Sequence, residues 1–308
     1  MNKKVTLLFL VALLMITFII GCKGEKSSNT GMIKDSIDSS SVVTDSVLAE
    51  KDVPLVVDSI GKSFNSSNIQ VDLAYSFPVS GPQPLVDSLR VFLRTELEGG
   101  VGIYSSTTSK FKSYKNLSNG RGMINYYAKL AYKNLCGIND DADSAECILA
   151  SELSTCVMKK CETKSYVTYR SFSYIYSGGA HGMAGDVGFT FDKKTGEKVQ
   201  KILSPKHIKA LQPMLKTGFR SYFREMAKSN GIRNVESEVK NNMDNLLLEY
   251  KIISLPENGV SLSPEGVVFI YGEYEAGCYA IGMPTFTVPY SKIGKYLSPK
   301  ARRLVGLN

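Results

Sequence analysis

Alternating apolar and polar positions open the folded part of this chain. Ile69, Val71, Leu73, Tyr75 and Phe77 occupy every second residue, the period of a half-buried strand. Pro78 to Pro84 interrupts that pattern. Leu85, Leu89, Phe92, Leu93 and Leu97 then recur at helical spacing, and Gly99-Gly100 is the expected stop. Val101 to Asn119 is polar and rich in Gly, Ser, Thr and Lys, and reads as a long loop with some strand. Met123, Tyr127, Leu130, Ala131 and Leu135 suit a second helix, while Ile124, Tyr126, Ala128, Leu130 and Tyr132 suit a strand. The pattern leaves both open.

From Ala150 to Tyr176 the period returns to two. β-branched and aromatic residues are frequent there, which predicts one long strand. Val187 to Phe191 predicts another, with a turn at Lys194-Thr195-Gly196-Glu197. Ser204-Pro205 is a helix start with Ser as N-cap. Ile208, Leu211, Leu215, Tyr222, Phe223 and Met226 carry that helix to Gly231, and Val239, Met243, Leu246 and Leu247 suit a further one. Val267 to Tyr271 and Phe286 to Val288 read as strands, and a short helix near Ile293 closes the chain. This order predicts an α+β fold, a largely antiparallel sheet packed with a few helices. It allows two subdomains, 52–150 and 151–308.

The N-terminus has its own pattern. Lys3 and Lys4 precede an uncharged run from Val5 to Ile20, about 24 Å long as a helix and short of the roughly 30 Å hydrocarbon core. Ile19-Ile20-Gly21-Cys22 resembles a lipobox. The expectation is a signal peptide over 1–21, cut before Cys22, with lipid on the Cys22 thiol. Acyl chains contribute about 0.8 kcal/mol per buried CH₂, so the chain would be anchored on the extracytoplasmic side of a bacterial membrane. Lys23 to Lys51 is rich in Ser, Asp and Lys and has no aromatic residue. With Cys22 it forms a tether, 22–51, spanning about 30 Å if flexible.

Composition adds little beyond this. Of 308 residues, 43% are hydrophobic and 21% charged, ample for a core. The net charge of +8 is spread without a basic run, which argues against a nucleic-acid partner. With Cys22 set aside, Cys136, Cys147, Cys156 and Cys161 are disulfide candidates in an exported protein, in any of three pairings. A zinc site competes, but no C-x₂-C pair is present. No cofactor motif appears: there is neither a P-loop nor a dinucleotide fingerprint.

Candidate chemistry is sparse. The chain has two histidines. His181 sits in the glycine-rich turn Ser177-Gly178-Gly179-Ala180-His181-Gly182, where the glycines supply positive φ and the imidazole suits a structural hydrogen bond. Ser177 has no GxSxG elbow, and no HExxH occurs. Glu273 and Glu275 would share one face of a strand, as in a glycosidase pair, or make surface and loop contacts. Of seventeen tyrosines, eight cluster at Tyr166–Tyr176 and Tyr271–Tyr290; such rings suit recognition surfaces as well as sheet packing. The candidate binding residues are therefore Tyr176, Gly178, Gly179, His181 and Gly182 on one segment, and Tyr271, Glu273, Tyr274 and Glu275 on the other.

Three segments carry a family resemblance. They are Tyr174 to Gly182 with its GGAHG turn, Phe189 to Val199 with FDxxTG, and Tyr271 to Gly282 followed by Phe286 to Tyr290. Together, over roughly residues 65–300, they resemble the RsiV-like domain family. That family includes the extracellular domain of lysozyme-sensing anti-sigma factors and a non-catalytic module of some peptidoglycan deacetylases. The resemblance implies an α+β fold and a binding or sensing role, the ligand being a lysozyme-like protein or peptidoglycan. This chain departs from the anti-sigma factors in its lipid anchor and in Gly277-Cys278 within the third segment. Against that expectation stand a glycan-directed hydrolase using His181 with Glu273 or Glu275, and a purely structural envelope lipoprotein.

Overall fold

The computed structural model describes residues 52–102, 111–136, 150–248 and 251–307. Cys22, the segment 1–51 and Cys147 lie outside them. The elements run β1 (Val56–Asn65), β2 (Ile69–Ser80), α1 (Gln83–Gly102), α2 (Gly120–Leu135), β3 (Ser151–Glu162), β4 (Tyr166–Tyr176) and β5 (Met183–Asp192). There follow α3 (Ile208–Ser229), α4 (Val235–Asp244), β6 (Val260–Ser263), β7 (Gly266–Ile270), β8 (Thr285–Pro289), α5 (Tyr290–Ile293) and α6 (Pro299–Leu304). Strands β1 to β5 form one sheet in sequence order, antiparallel except for the β2–β3 pair. Because β2 and β3 are neighbours, the sheet carries strands from both sides of residue 150. Strands β6, β7 and β8 form a second, antiparallel sheet. The fold is α+β, as the patterning indicates.

Each sheet has its own apolar core. The alternating β2 residues Val71, Leu73 and Tyr75 meet Leu85, Leu89 and Leu93 of α1 and Met123, Tyr127 and Ala131 of α2. Each of those leucines is fully buried, worth about 2 kcal/mol of transfer. The second core joins Leu211, Leu215, Phe219 and Phe223 of α3 to Val267, Phe269 and Phe286 of the small sheet. Hydroxyls tie the sheets together. Thr168 Oγ1 donates to Leu262 O at 2.8 Å, and Leu262 N donates to Thr190 Oγ1 at 2.9 Å.

Three expectations need correction, and one open reading is resolved. Helix α1 runs through Gly99-Gly100, because Gly100 is where the helix passes close to β3: a Cβ there would stand 2.9 Å from Thr155 Oγ1. The stretch 150–176 is a hairpin of β3 and β4. Its turn contains no glycine or proline; Thr163 Oγ1 accepts from the Ser165 and Tyr166 amides instead, a side-chain substitute for turn residues. Pro205 to His207 is a 3-10 turn, held by His207 N donating to Ser204 O, and α3 begins only at Ile208. Between 120 and 135 the helical reading prevails, since Asn119 caps α2 by accepting from Gly122 N.

The chain joins the domain through charges at one end of the large sheet. Lys193, just past β5, is buried and ion-paired with Asp52 and Glu162, both at 2.7 Å. Glu162 also takes Lys159 at 2.8 Å and the Leu55 amide at 2.8 Å. Burial opposes charge on Glu162, but those partners overcome it and hold its carboxyl below the usual range. On Lys193 burial is likewise outweighed, by Asp52 and Glu162, and its ammonium titrates above its usual value.

Candidate functional site

At the opposite end of the same sheet, β4 and β5 are joined by the turn from Ser177 to Gly182. Tyr166 pairs with Asp192 at the end near Lys193, and Ile175 pairs with Met183 at the turn end. At about 3.3 Å per residue the two ends lie roughly 30 Å apart. Gly178 and Gly179 take φ of 94° and 96°, which lets the chain reverse, and a Cβ on either would meet open space. Gly182 serves a different purpose. A Cβ there would stand 2.5 Å from the Tyr174 ring and 2.6 Å from Ile175 O, so the turn folds back tightly on β4.

The segment Tyr271–Gly282 meets this turn. It is a loop ending in a 3-10 turn at Tyr279–Ile281. His181 joins the two: its ring is stacked on Tyr279, centroids 3.9 Å apart and planes at 19°. His181 Nδ1 lies 2.8 Å from Gly182 O, an acceptor, so Nδ1 carries the proton and donates. In the neutral ring Nε2 then accepts from the Tyr274 hydroxyl at 3.0 Å. Tyr274 adopts φ of 63°, a costly backbone for a residue with a side chain, and this turns its ring toward His181. Glu273 Oε2 accepts from Ala184 N at 2.9 Å, fastening the loop to the start of β5. Burial first, then the negative charge of Glu273, raises the Tyr279 hydroxyl above its usual value. The product is a mostly aromatic surface patch: His181 and Tyr274, both exposed, with half-buried Tyr279, and Tyr176 donating to Gly179 O beside it.

The structure thus brings together Tyr176, Gly178, Gly179, His181, Gly182, Glu273 and Tyr274. It does not bring Tyr271 to the patch. Tyr271 is buried against Phe219, donates to Ser254 O at 2.8 Å, and has its hydroxyl raised by burial and then by the Glu275 charge. Glu275 turns inward on the backbone, accepting from Gly272 N at 2.7 Å and Glu257 N at 2.6 Å. Glu273 and Glu275 share no strand face, because the segment is a turn in which each carboxylate caps a different amide. Tyr279, which completes the stack, is not among the candidate residues of the sequence; it lies within the third motif, but nothing in its spacing pairs it with His181.

For acid–base chemistry the arrangement is unpromising. Both imidazole nitrogens have partners, and neither partner is a carboxylate. Among the described residues no group of three His, Cys, Asp or Glu side chains is placed to hold a metal ion. Cys156 and Cys161 are free thiols on β3, both pushed up by burial, and Cys136 is buried after α2. Cys278 is free and exposed beside Tyr279. No helix among the described residues is long and apolar enough to cross a membrane.

Residues 199–291, from the end of the β5 hairpin to the start of α5, match a family described as "Protein of unknown function (DUF3298)". Two solved structures share the fold. A DUF3298 family protein from Pseudomonas aeruginosa PAO1 superposes with a TM-score of 0.54 at 15% identity, covering 81% of this chain and 97% of its own. A member of that family from Bacteroides fragilis NCTC 9343 gives 0.53 at 18% identity, covering 83% and 98%. No curated protein sequence matches the chain.

Proposed function

We propose that this chain is an envelope lipoprotein whose folded domain binds a partner without chemical turnover, through the aromatic patch where the Gly178–Gly182 turn meets the Glu273–Tyr279 loop. One observation supports this above the others: His181 spends one ring nitrogen on Gly182 O of its own turn, and the other nitrogen and one ring face on Tyr274 and Tyr279 of the second segment. An imidazole so engaged builds a surface, whereas a general base needs a free nitrogen aimed at substrate. The aromatic rings offer contact area at low entropic cost, with hydroxyls for hydrogen bonding.

The position of the patch agrees with an anchored sensor. Asp52 and Leu55 are fixed at one end of the β4–β5 ribbon, and the patch crowns the other, about 30 Å away. A tether lipidated at Cys22 would enter the domain at Asp52, at the end of the ribbon away from the patch. The ligand is then something the envelope presents there, a lysozyme-like protein or peptidoglycan. Both sheets and both cores lie within 52–307, so the soluble chain from residue 52 is the folding unit to test. It should retain lysozyme or sediment with purified peptidoglycan, and His181→Ala and Tyr279→Ala should each weaken that by about tenfold, the loss of roughly 1.4 kcal/mol. Failure to retain either bait, or undiminished retention by both variants, would overturn the reading.

A further inference from the structure

Strand β1 is the outermost strand of the large sheet and pairs with β2 on one side only. Its parity can be read where the hairpin closes. Ser66 N donates to Ile69 O at 2.8 Å, so even-numbered residues of β1 turn their backbone groups toward β2. Val57, Ser59, Gly61, Ser63 and Asn65 turn theirs outward. The last four are exposed, and no main-chain bond closes this row among the described residues. The preceding chain does not cover it. Leu55 N donates to Glu162 Oε1 at 2.8 Å and Asp52 pairs with Lys193, so residues 52–55 leave β1 across the end of the sheet. What remains is an open edge about 27 Å long from Val57 to Asn65.

Exposed edges are commonly guarded by charge. Here the two charges of the strand stand symmetrically about its one buried residue. Asp58 lies two positions before Ile60 and Lys62 two after, with Val56 and Phe64 next outward. A second β1 laid antiparallel, Ile60 opposite Ile60, would set Asp58 against Lys62 of the other copy and Val56 against Phe64. These even-numbered pairs are the non-hydrogen-bonded ones, in which side chains approach most closely. The outward row supplies the main-chain bonds, Val57 with Ser63 and Ser59 with Gly61, each pairing made twice, for about eight bonds in all. Other registers that match the outward groups lose the charge match. Centred on Asp58 or Lys62, they set like charges opposite one another; centred on Ser59 or Gly61, they set each charge against an apolar residue. The neighbours of these charges leave the edge usable. Asp58 also meets Arg121 of α2 at 3.3 Å, an arginine 73% exposed, and Lys62 lies 4.8 Å over the Phe64 ring. Neither contact uses the outward backbone groups. Asn125, one turn along α2 from Arg121, is exposed and uncharged.

We propose that β1 is an interface between two copies of this chain, paired antiparallel about a two-fold axis at Ile60, so that two five-stranded sheets continue as one of ten strands. The contact is isologous: each copy gives Asp58 to the Lys62 of the other and receives the reverse. Main-chain bonds hold the strands together, and the paired opposite charges select the register. The edge lies on the far side of the sheet from the β4–β5 turn, so self-pairing and ligand binding can be tested apart.

The test uses the soluble chain from residue 52, with Cys278→Ser to remove the exposed thiol. In sedimentation it should pass from monomer to dimer between about 1 μM and about 1 mM. Asp58→Lys sets lysine against Lys62, and Lys62→Asp sets aspartate against Asp58; each should weaken the dimer by about tenfold. Mixed in equal amounts, those two variants regain both opposite-charge pairs and should form a heterodimer as tight as the native dimer. In the same background, Asp58→Cys mixed with Lys62→Cys should form a disulfide between residues 58 and 62, and Asp58→Cys alone should form none between its two copies of residue 58. A chain still monomeric at about 1 mM, single variants that dimerise like the native chain, a mixture no tighter than its components, or cross-linking of 58 to 58 would each overturn the proposal. A chain beginning at residue 23 gives one more arm. If it stays monomeric while its Ser59, Gly61 and Ser63 amides resist exchange, the tether occupies the edge and the proposal fails.

Discussion

Replacing Lys193 with Met removes one buried cation and keeps most of its apolar length. Removing one partner of a buried ion pair costs about 3–5 kcal/mol where the other is left uncompensated. Here the loss is partial. The Glu162 side chain, 17% exposed, keeps Lys159 and the Leu55 amide, while Asp52, 45% exposed, can rehydrate. About 2 kcal/mol is the expected cost, a fall in Tm of roughly 4–8 °C for a unit of this size. The sign of the pH dependence follows from the shifts. Glu162 titrates below its usual value when folded, so its contribution is present above about pH 4.3 and is lost as pH falls through the folded value. Lys193 titrates above its usual value, so its contribution is complete below about pH 10.4 and is lost only as pH rises through the raised value. The gap between native protein and Lys193→Met should be widest near neutrality and should shrink at pH 3. Urea unfolding at pH 7 and pH 3 measures both gaps, and limited proteolysis near residues 52–55 should quicken in the variant. Equal stability at pH 7, or a gap that persists unchanged at pH 3, would refute the role assigned to this cluster.

Gly182→Ala drives a methyl into the Tyr174 ring and Ile175 O, and a backbone oxygen cannot move aside. A cost of about 1–3 kcal/mol in urea unfolding, with weakened ligand retention, is expected; native stability would show that the turn relaxes freely. Thr190→Val leaves the Leu262 amide without its acceptor between the sheets, which should cost about 1–3 kcal/mol and speed exchange of that amide. Unchanged exchange at Leu262 would remove the hydroxyl bridge from the account of how the sheets are joined.

Much of the fold is legible because burial imposes a period. In β2, Val71, Leu73 and Tyr75 are buried while Gln70 is exposed, and alternation alone reveals the strand. Strand β1 escapes because it is an edge, with Ile60 as its one buried residue and Val56, Val57 and Phe64 only exposed or half-buried, out of strict alternation. The β3–β4 turn escapes because Thr163 does with a hydroxyl what sequence signals expect of Gly or Asn. Gly100 misleads for the reverse reason: it is there for close packing on Thr155, and a local rule reads every glycine near a helix end as a stop. The candidate site is legible only in outline. His181 and Tyr274 stand 93 residues apart, and no spacing rule joins them; the motifs point to both segments without fixing which side chains face outward.

That distinction bears on the family resemblance itself. Many of the motif residues can be accounted for by folding alone. Gly196 of the FDxxTG turn takes φ of 74° and leaves no room for a Cβ against Pro84 O, while Asp192 accepts from the Lys194 and Thr195 amides. Tyr271 and Ala276 fill the second core, Tyr222 donates to Ile281 O, and Gly282 turns the chain at φ of 66°. A sequence could keep all of these to hold the same architecture around different ligands. Among the motif side chains outside both cores, His181, Tyr274 and Tyr279 lie against one another at the surface; they join turn to loop, and cutting them back leaves both cores intact. Ligand specificity should therefore follow those three and their neighbours in the turn. Exchanging them between this chain and a relative of known ligand should transfer binding without transferring stability.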